Sequence, residues 1–464
     1  MDYLEKRDLI LNGKMSRVIL LLSGPIMLNN FIQTVYNLTD TFWVSRLGST
    51  EVAAITLVWP VIFFVMSLGM GMSIAGTALI SQYTGAHSLD EATDVAGQLL
   101  SFSIILSIIL GALGAFFTPY IVSGMGGEGQ LFDNATEFLR IMFMGLPTMF
   151  LFFIFSSIKQ GQGDTITPMI YGALSVGLNI ILDPIFIFIF DLGIAGAAIA
   201  TIIARGIFSF YAIYRLFTKT TGIHLKISDL HLNKQVLLKI IKVGIPSSIG
   251  QSTAALGFIV LNMFIISFGK STMAAFGIGN RINSLILMPA MGIGSALSTI
   301  VGQNLGAENI ERAKKAVKTS VGLTTIFLVA GGILIFSTSS NIISLFNPDP
   351  EVFSQGTHYL RLISAALPFM GFFQIFIGTF QGSGHTFSAM VLMMGRLWGL
   401  RIPLILIFKT FTNLGTNSVW YAMVLSNGII CLVGYAIYST GKWQKKVIRN
   451  QENQCKNQGD GYVD

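Results

Sequence analysis

The sequence predicts an all-α integral membrane protein of twelve transmembrane helices, arranged as two pseudo-twofold-related six-helix lobes. Three observations carry that prediction. The 464 residues are 52% hydrophobic and only 11% charged, against roughly 25% charged in an ordinary soluble domain. Apolar runs such as 101–117 and 321–336 contain no ionisable residue, the pattern of segments that cross a bilayer. The first half of the chain also repeats in the second at one constant offset.

Polar, Gly and Pro punctuation leaves twelve segments long enough to span at about 20 residues each. They are 16–44, 52–80, 95–118, 135–157, 167–190 and 194–217, then 237–268, 273–301, 316–337, 357–379, 388–409 and 417–440. The first is too long for a signal-peptide core and lacks a small-residue cleavage site, so it reads as an uncleaved span. Positive residues in short loops stay on the cytoplasmic side. The N-terminus (Lys6, Arg7, Lys14, Arg17), the middle loop (Arg215, Lys219, Lys226, Lys234), the loop at Arg312, Lys314, Lys315 and Lys318, and the tail (Lys442, Lys445, Lys446, Arg449) all fall on one side, while Glu128, Asp133, Asp349 and Glu351 fall on the other. Both termini are therefore expected in the cytoplasm of a cell carrying this chain in its plasma membrane. The chain divides into an N-lobe (1–218), a cytoplasmic linker (219–236), a C-lobe (237–441) and a cytoplasmic polar tail (442–464). The formal charge of +7 reports topology and contact with lipid, and nucleic acid is not an expected partner.

The repeat runs at an offset of 221, pairing Pro25 with Pro246, Gly48 with Gly269, Gly71 with Gly292 and Arg140 with Arg361. It holds without a gap through Gln160, Gly161, Gly163 and Thr165, which meet Gln381, Gly382, Gly384 and Thr386. Six spans per repeat is an even number, so both halves enter the membrane the same way and are related by an axis along its normal. That is the plan of a two-lobed carrier with a central cavity, in which access alternates as one lobe rocks against the other.

Of the 22 acidic residues, only Asp40 and Asp183 fall well inside predicted spans, where a charge costs roughly 2.5–3.5 kcal/mol. Asp40 ends a polar stripe of Asn30, Gln33 and Asn37, whose spacings of three and four place them on one helical face. In the fifth span Ser175, Asn179 and Asp183 repeat every four residues, and Pro184 then frees the carbonyl of Ile180. Both acids fall past the midpoint of spans running the same way, which allows them to share one site. Burial and mutual repulsion disfavour two charges at once, so such a pair can load and release H⁺; with Asn179 and a free carbonyl it can instead hold Na⁺. No other metal and no organic cofactor is expected. Leu261 and Leu404 stand opposite Asp40 and Asp183 in the repeat, so this site belongs to the N-lobe alone. Further candidates for the cavity wall are Thr201 and Arg205 in span six and Gln251, Asn280 and Asn283 in the C-lobe, with Asn262 beside them; Arg205 and Arg281 sit where a long side chain also reaches the interface. The cavity is expected to be acidic in character.

The duplicated halves, the paired turns S-Q-Y-T-G-A (81–86) and G-Q-N-L-G-A (302–307), the stretch G-L-N-I-I-L-D-P (177–184) and D-L-G-I-A-G-A-A (191–198) resemble the multidrug and toxic compound extrusion (MATE) family over nearly the whole chain. The Asp40 pattern looks most like its DinF-type branch. The resemblance implies an exporter of amphipathic, often cationic small molecules, driven by inward H⁺ or Na⁺, with Asp40, Asn179 and Asp183 binding the coupling cation; a monomer is expected. The seventh-span acid of a Na⁺-driven group has no counterpart, which leans towards H⁺. The alternative is a lipid-linked precursor flippase of a related fold, for which a strongly cationic cavity is expected. A membrane enzyme would need a catalytic constellation, and the five His residues lie in or near loops, so none emerges.

Overall fold

In lipid a backbone must close its own hydrogen bonds, and an apolar run without a partner strand does so only as a helix. A computed structural model describes residues 3–218, 222–346 and 349–448; Lys219 and Arg449, named above, lie outside them. Each predicted span is helical. The N-lobe holds α2 (Met15–Ser45), α3 (Ser49–Gly85), α4 (Leu89–Gly124), the pair α5 (Gly129–Met144) and α6 (Leu146–Gly161), α7 (Ile166–Pro184) and α8 (Gly193–Phe217). The C-lobe holds α9 (Lys234–Ile266), α10 (Lys270–Gly306), α11 (Ile310–Phe346), α12 (Pro350–Gly382), α13 (Thr386–Met394) with α14 (Ile402–Phe411), and α15 (Asn417–Ser439). Several of these overrun the predicted spans at both ends, because hydropathy falls where a helix leaves the hydrocarbon while its hydrogen-bond ladder continues.

Three features add to the predicted plan. The fourth span is bent by 46° between α5 and α6, at Gly145 and just before Pro147, the residue types that break a helix ladder. The fifth and eleventh spans each contain a π turn, Ile185–Ile189 directly after Pro184 and Gly395–Arg401 between α13 and α14. A short helix, α1 (Tyr3–Asn12), precedes the first span. Large apolar side chains point outward along α4 (Ile108, Leu113, Phe116), α11 (Ile333, Phe336) and α15 (Leu432), the inside-out surface of a lipid-embedded bundle.

The lobes meet where α2 packs on α10 and α3 packs on α9 and α10. At the end of the bundle where α3 and α10 finish, the contact is repeated with its two partners exchanged. A methyl group at Gly85 would overlap the backbone carbonyl of Gln303, and one at Gly306 would overlap that of Gln82. The Gln303 amide donates to the carbonyl of Gly161 at 2.9 Å and the Gln82 amide to that of Gly382 at 3.3 Å. Positions 82, 85 and 161 differ from 303, 306 and 382 by the repeat offset of 221, so the motif turns noted above form a pseudo-symmetric seal.

Helix α1 closes over this seal. Arg7 donates to the carbonyls of Thr84 and Gly85, each at 2.9 Å. Arg312 of α11 donates back to the carbonyl of Ile10 at 3.1 and 3.0 Å. Lys6 pairs with Asp164 at 3.1 Å in the loop after α6. Burial works against the charged Asp164 carboxyl, but the Thr167 hydroxyl and Lys6 together hold it below the usual carboxylate range. Its contribution is therefore present at neutral pH and is lost as pH falls through that lowered value. Replacing Arg312 with Ala is expected to release α1, at about 1.5–3 kcal/mol for bonds from a charged donor. Hydrogen exchange over residues 3–13 should then accelerate while the protection of α10 is unchanged.

Candidate functional site

The predicted acids are brought to one neighbourhood in the far half of the N-lobe, away from the seal. Asp183 is fully buried; its Oδ1 accepts from the Asn179 amide at 2.9 Å, and its Oδ2 is buried with no hydrogen-bond partner. The same Asn179 amide lies 3.5 Å from Thr201 Oγ1, and Asn179 Oδ1 is a second buried oxygen without a partner. Tyr36 from α2 joins through its hydroxyl, 3.1 Å from Thr201, and the Arg205 guanidinium lies 5.3 Å over the Tyr36 ring. Asp40, one turn beyond Tyr36, is half-buried and makes no hydrogen bond or ion pair among the described residues. Its charge reaches Asp183 and Arg205 without direct contact.

Two buried acceptor oxygens without donors are costly unless something supplies positive charge or a proton. Asp183 Oδ2 and Asn179 Oδ1 therefore define a place for a proton, or for a small cation completed by Asp40. The groups come from α2, α7 and α8, so an event here acts on three helices. In the C-lobe the corresponding position is sealed with hydrocarbon: Leu261 is fully buried among Ile265, Phe276, Ile405 and Trp420, with Leu404 packed against them.

Between the lobes lies a cavity of about 930 Å³. Gln251, Asn280 and Asn283 line it, as does Asn262; Gln33, Asn37, Ser175, Thr201 and Arg205 do not. Of the polar stripe on α2, Asn30 reaches the cavity, while Gln33 and Asn37 are exposed and lie 3.5 Å apart, amide to carbonyl. Ser175 is buried within the N-lobe and Arg281 is exposed. The expected acidic character is not observed. No carboxylate lines the wall, and its one ionisable residue among those described is Arg396, at the π turn of the eleventh span. Span eleven also buries Arg401, which donates to Ser426 Oγ at 3.1 Å and Asn427 Oδ1 at 2.8 Å. The same insertion cost applies to these two bases as to the intramembrane acids, so their place inside an apolar span was the signal in the sequence that marks them.

A profile of the MatE family matches residues 25–185 and 246–407, once in each lobe. The chain belongs to the MATE family. It is similar to the probable multidrug resistance protein YoeA of Bacillus subtilis, 30% identical over 437 residues that cover 91% of this chain and 93% of the relative. The multidrug export protein MepA of Staphylococcus saprophyticus is 27% identical, over 87% of this chain and 89% of that protein. A solved outward-facing multidrug resistance MATE family transporter superposes with a TM-score of 0.84 at 28% identity, covering 92% of this chain and 96% of its own. This MATE protein is a multi-span membrane transporter and not an enzyme, and its twelve-helix, two-lobe fold is that of the family.

Proposed function

We propose that the chain is a secondary antiporter of the plasma membrane, acting as a monomer, that exports amphipathic, often cationic compounds in exchange for inward H⁺, with Na⁺ as the alternative coupling ion. The observation that carries the proton reading is Asp183, fully buried with one oxygen bonded to Asn179 and the other without a partner. A group in that state binds a proton or small cation far better than it tolerates neither.

With both termini in the cytoplasm, the seal of Gly85 and Gly306 is the inner gate and the cavity opens outward. Protonation from outside would neutralise Asp183 and Asp40 and loosen the hold of Asp183 on Asn179, whose amide lies 3.5 Å from Thr201, the residue that meets the Tyr36 hydroxyl. Because Tyr36 and Asp40 lie on α2, and α2 packs on α10 of the other lobe, that change is felt across the interface. Proton loss to the cytoplasm restores the charge, and competition between ion and substrate couples the two fluxes. Among the described residues the cavity wall carries no acid and Asp40 lies off that wall, so its attraction for a cationic substrate would act through the field and not by contact.

The test is ethidium movement in proteoliposomes under an imposed pH gradient or an imposed Na⁺ gradient. Movement driven by the pH gradient alone is the expected result. Movement driven by Na⁺ alone would keep the site and change the ion, and no movement under either would overturn the exporter reading in favour of the flippase.

A further inference from the structure

The N-lobe site gathers Asp40 and Asp183 with Arg205 nearby, the eleventh span of the C-lobe holds Arg396 and Arg401, and of these described residues only Arg396 faces the cavity. Arg396 lines the wall, and its guanidinium lies 4.1 Å over the face of Phe373, a second wall residue. It has no ion pair or hydrogen bond among the described residues, and its Nε is buried without a partner. Arg401, five residues on and 5% exposed, is held by neutral groups only, Ser426 and Asn427. An i→i+5 turn brings residues five apart nearly over one another, where an α-helix would turn them apart. The π segment Gly395–Arg401 thus concentrates two uncompensated positive charges on one stretch of the eleventh span.

Uncompensated cations at membrane depth are costly and mark functional positions. Arg401 has a structural use, joining the eleventh span to α15. Arg396 has none: its ring contact fixes the plane of the guanidinium and leaves its donors unused. The surrounding wall supplies side-chain amides at Asn262, Asn280 and Asn283 and broad apolar surfaces at Trp59, Phe63 and Phe258. The volume of about 930 Å³ suits a drug-sized molecule.

We infer that Arg396 is an anchoring site for an oxyanion, and that the substrates of this transporter include amphiphiles bearing a carboxylate or comparable anionic group, zwitterions among them. The inference rests on the exporter reading above and narrows its substrate class. A guanidinium offers a planar, two-pronged set of donors matched to a carboxylate, and in a cavity without competing acids that match is not spent on the protein itself.

The test uses a matched pair of dyes, rhodamine 110 with a free carboxylate and rhodamine 123, its methyl ester. Binding to the full-length protein in uncharged detergent is read by fluorescence anisotropy, and export is read in proteoliposomes. The wild type should bind the acid more tightly than the ester by about tenfold or more, as for a charge-assisted hydrogen bond in a confined site. Arg396→Gln should bring the ratio of the two affinities to parity, and Arg396→Lys should keep most of the preference. A wild type that does not prefer the acid, a preference that survives in Arg396→Gln, or equal weakening of both dyes in that variant would each overturn the inference. If the ester is bound and exported without any preference for the acid, the exporter reading stands and only the anion site falls. If neither dye is bound or exported, both fall. Displacement of rhodamine 110 by phosphatidylglycerol but not by phosphatidylcholine would support the anion site and give it a lipid headgroup as occupant; no displacement by either would support it with a small-molecule substrate.

Discussion

Asp183→Asn should sharply reduce gradient-driven export while leaving the protein folded. The substituted amide has the size of the carboxyl it replaces, and its oxygen can still accept from Asn179 at the position Asp183 Oδ1 holds now, 2.9 Å away. What disappears is the capacity of the unpartnered Oδ2 to take up a proton or cation. Coupling between two ligand sites is typically about 1–3 kcal/mol, so transport under a pH gradient should fall by roughly 5- to 150-fold. Exchange of substrate down its own gradient should persist and become indifferent to pH. Asp40→Asn should act in the same direction and less completely, because Asp40 is half-buried and holds no partner. Wild-type pH dependence retained in Asp183→Asn would sink the coupling role of this carboxyl.

The second large effect is expected at the seal. Alanine at Gly85 or Gly306 drives a methyl group into a backbone carbonyl of the opposite lobe, and backbone cannot step aside as a side-chain end can. Overpacking of this kind costs about 1–3 kcal/mol per site, and occasionally more. Because the two contacts are equivalent and lie side by side, the double variant should part the lobes at this end and not merely strain them. Ser81, fully buried between the lobes in the present state, is a suitable reporter. As Ser81→Cys with Cys431 and Cys455 replaced, it should react slowly with a maleimide in the wild-type background and at least about tenfold faster with both alanines, as a shift of some 1.4 kcal/mol or more dictates. Unchanged labelling would show that the seal is not formed by this contact.

The duplicated architecture was legible because one register of Gly, Pro and Gln residues held across 221 positions, and the structure explains why: Gln82 and Gln303, Gly85 and Gly306, and Gly161 and Gly382 make the same contacts with roles exchanged. A residue that serves a symmetric contact is constrained in both copies. The joining of Asp40, Asn179 and Asp183 was legible for a different reason, since membrane depth excludes acids unless they have a task. Less could be read where the outcome depends on rotation about a helix axis. The 3-4-3 spacing on α2 puts Asn30, Gln33 and Asn37 on one face, but only packing decides that Asn30 meets the cavity and the other two do not. The π turns have no sequence signature, and one of them holds both Arg396 and Arg401. The helix α1 has a nearly even spread of polar and apolar residues, so its docking emerges only from the backbone carbonyls that Arg7 and Arg312 find.

Apart from the Lys6–Asp164 pair that ties α1 to the loop after α6, the groups that close the sealed end of the bundle are amides, carbonyls, glycines and arginines. None changes its protonation anywhere near physiological pH, since an arginine keeps its charge and the others have none. On the proposed mechanism the latch is therefore blind to the coupling ion, and Asp183, the proposed sensor, lies in the far half of the N-lobe, away from the seal. Sensing and closing are separately adjustable: a substitution in the latch should change how much of the time the carrier rests open to each side, without moving the pH at which it responds. A compound that wedged this seam would arrest the transporter equally well in acid and in alkaline surroundings.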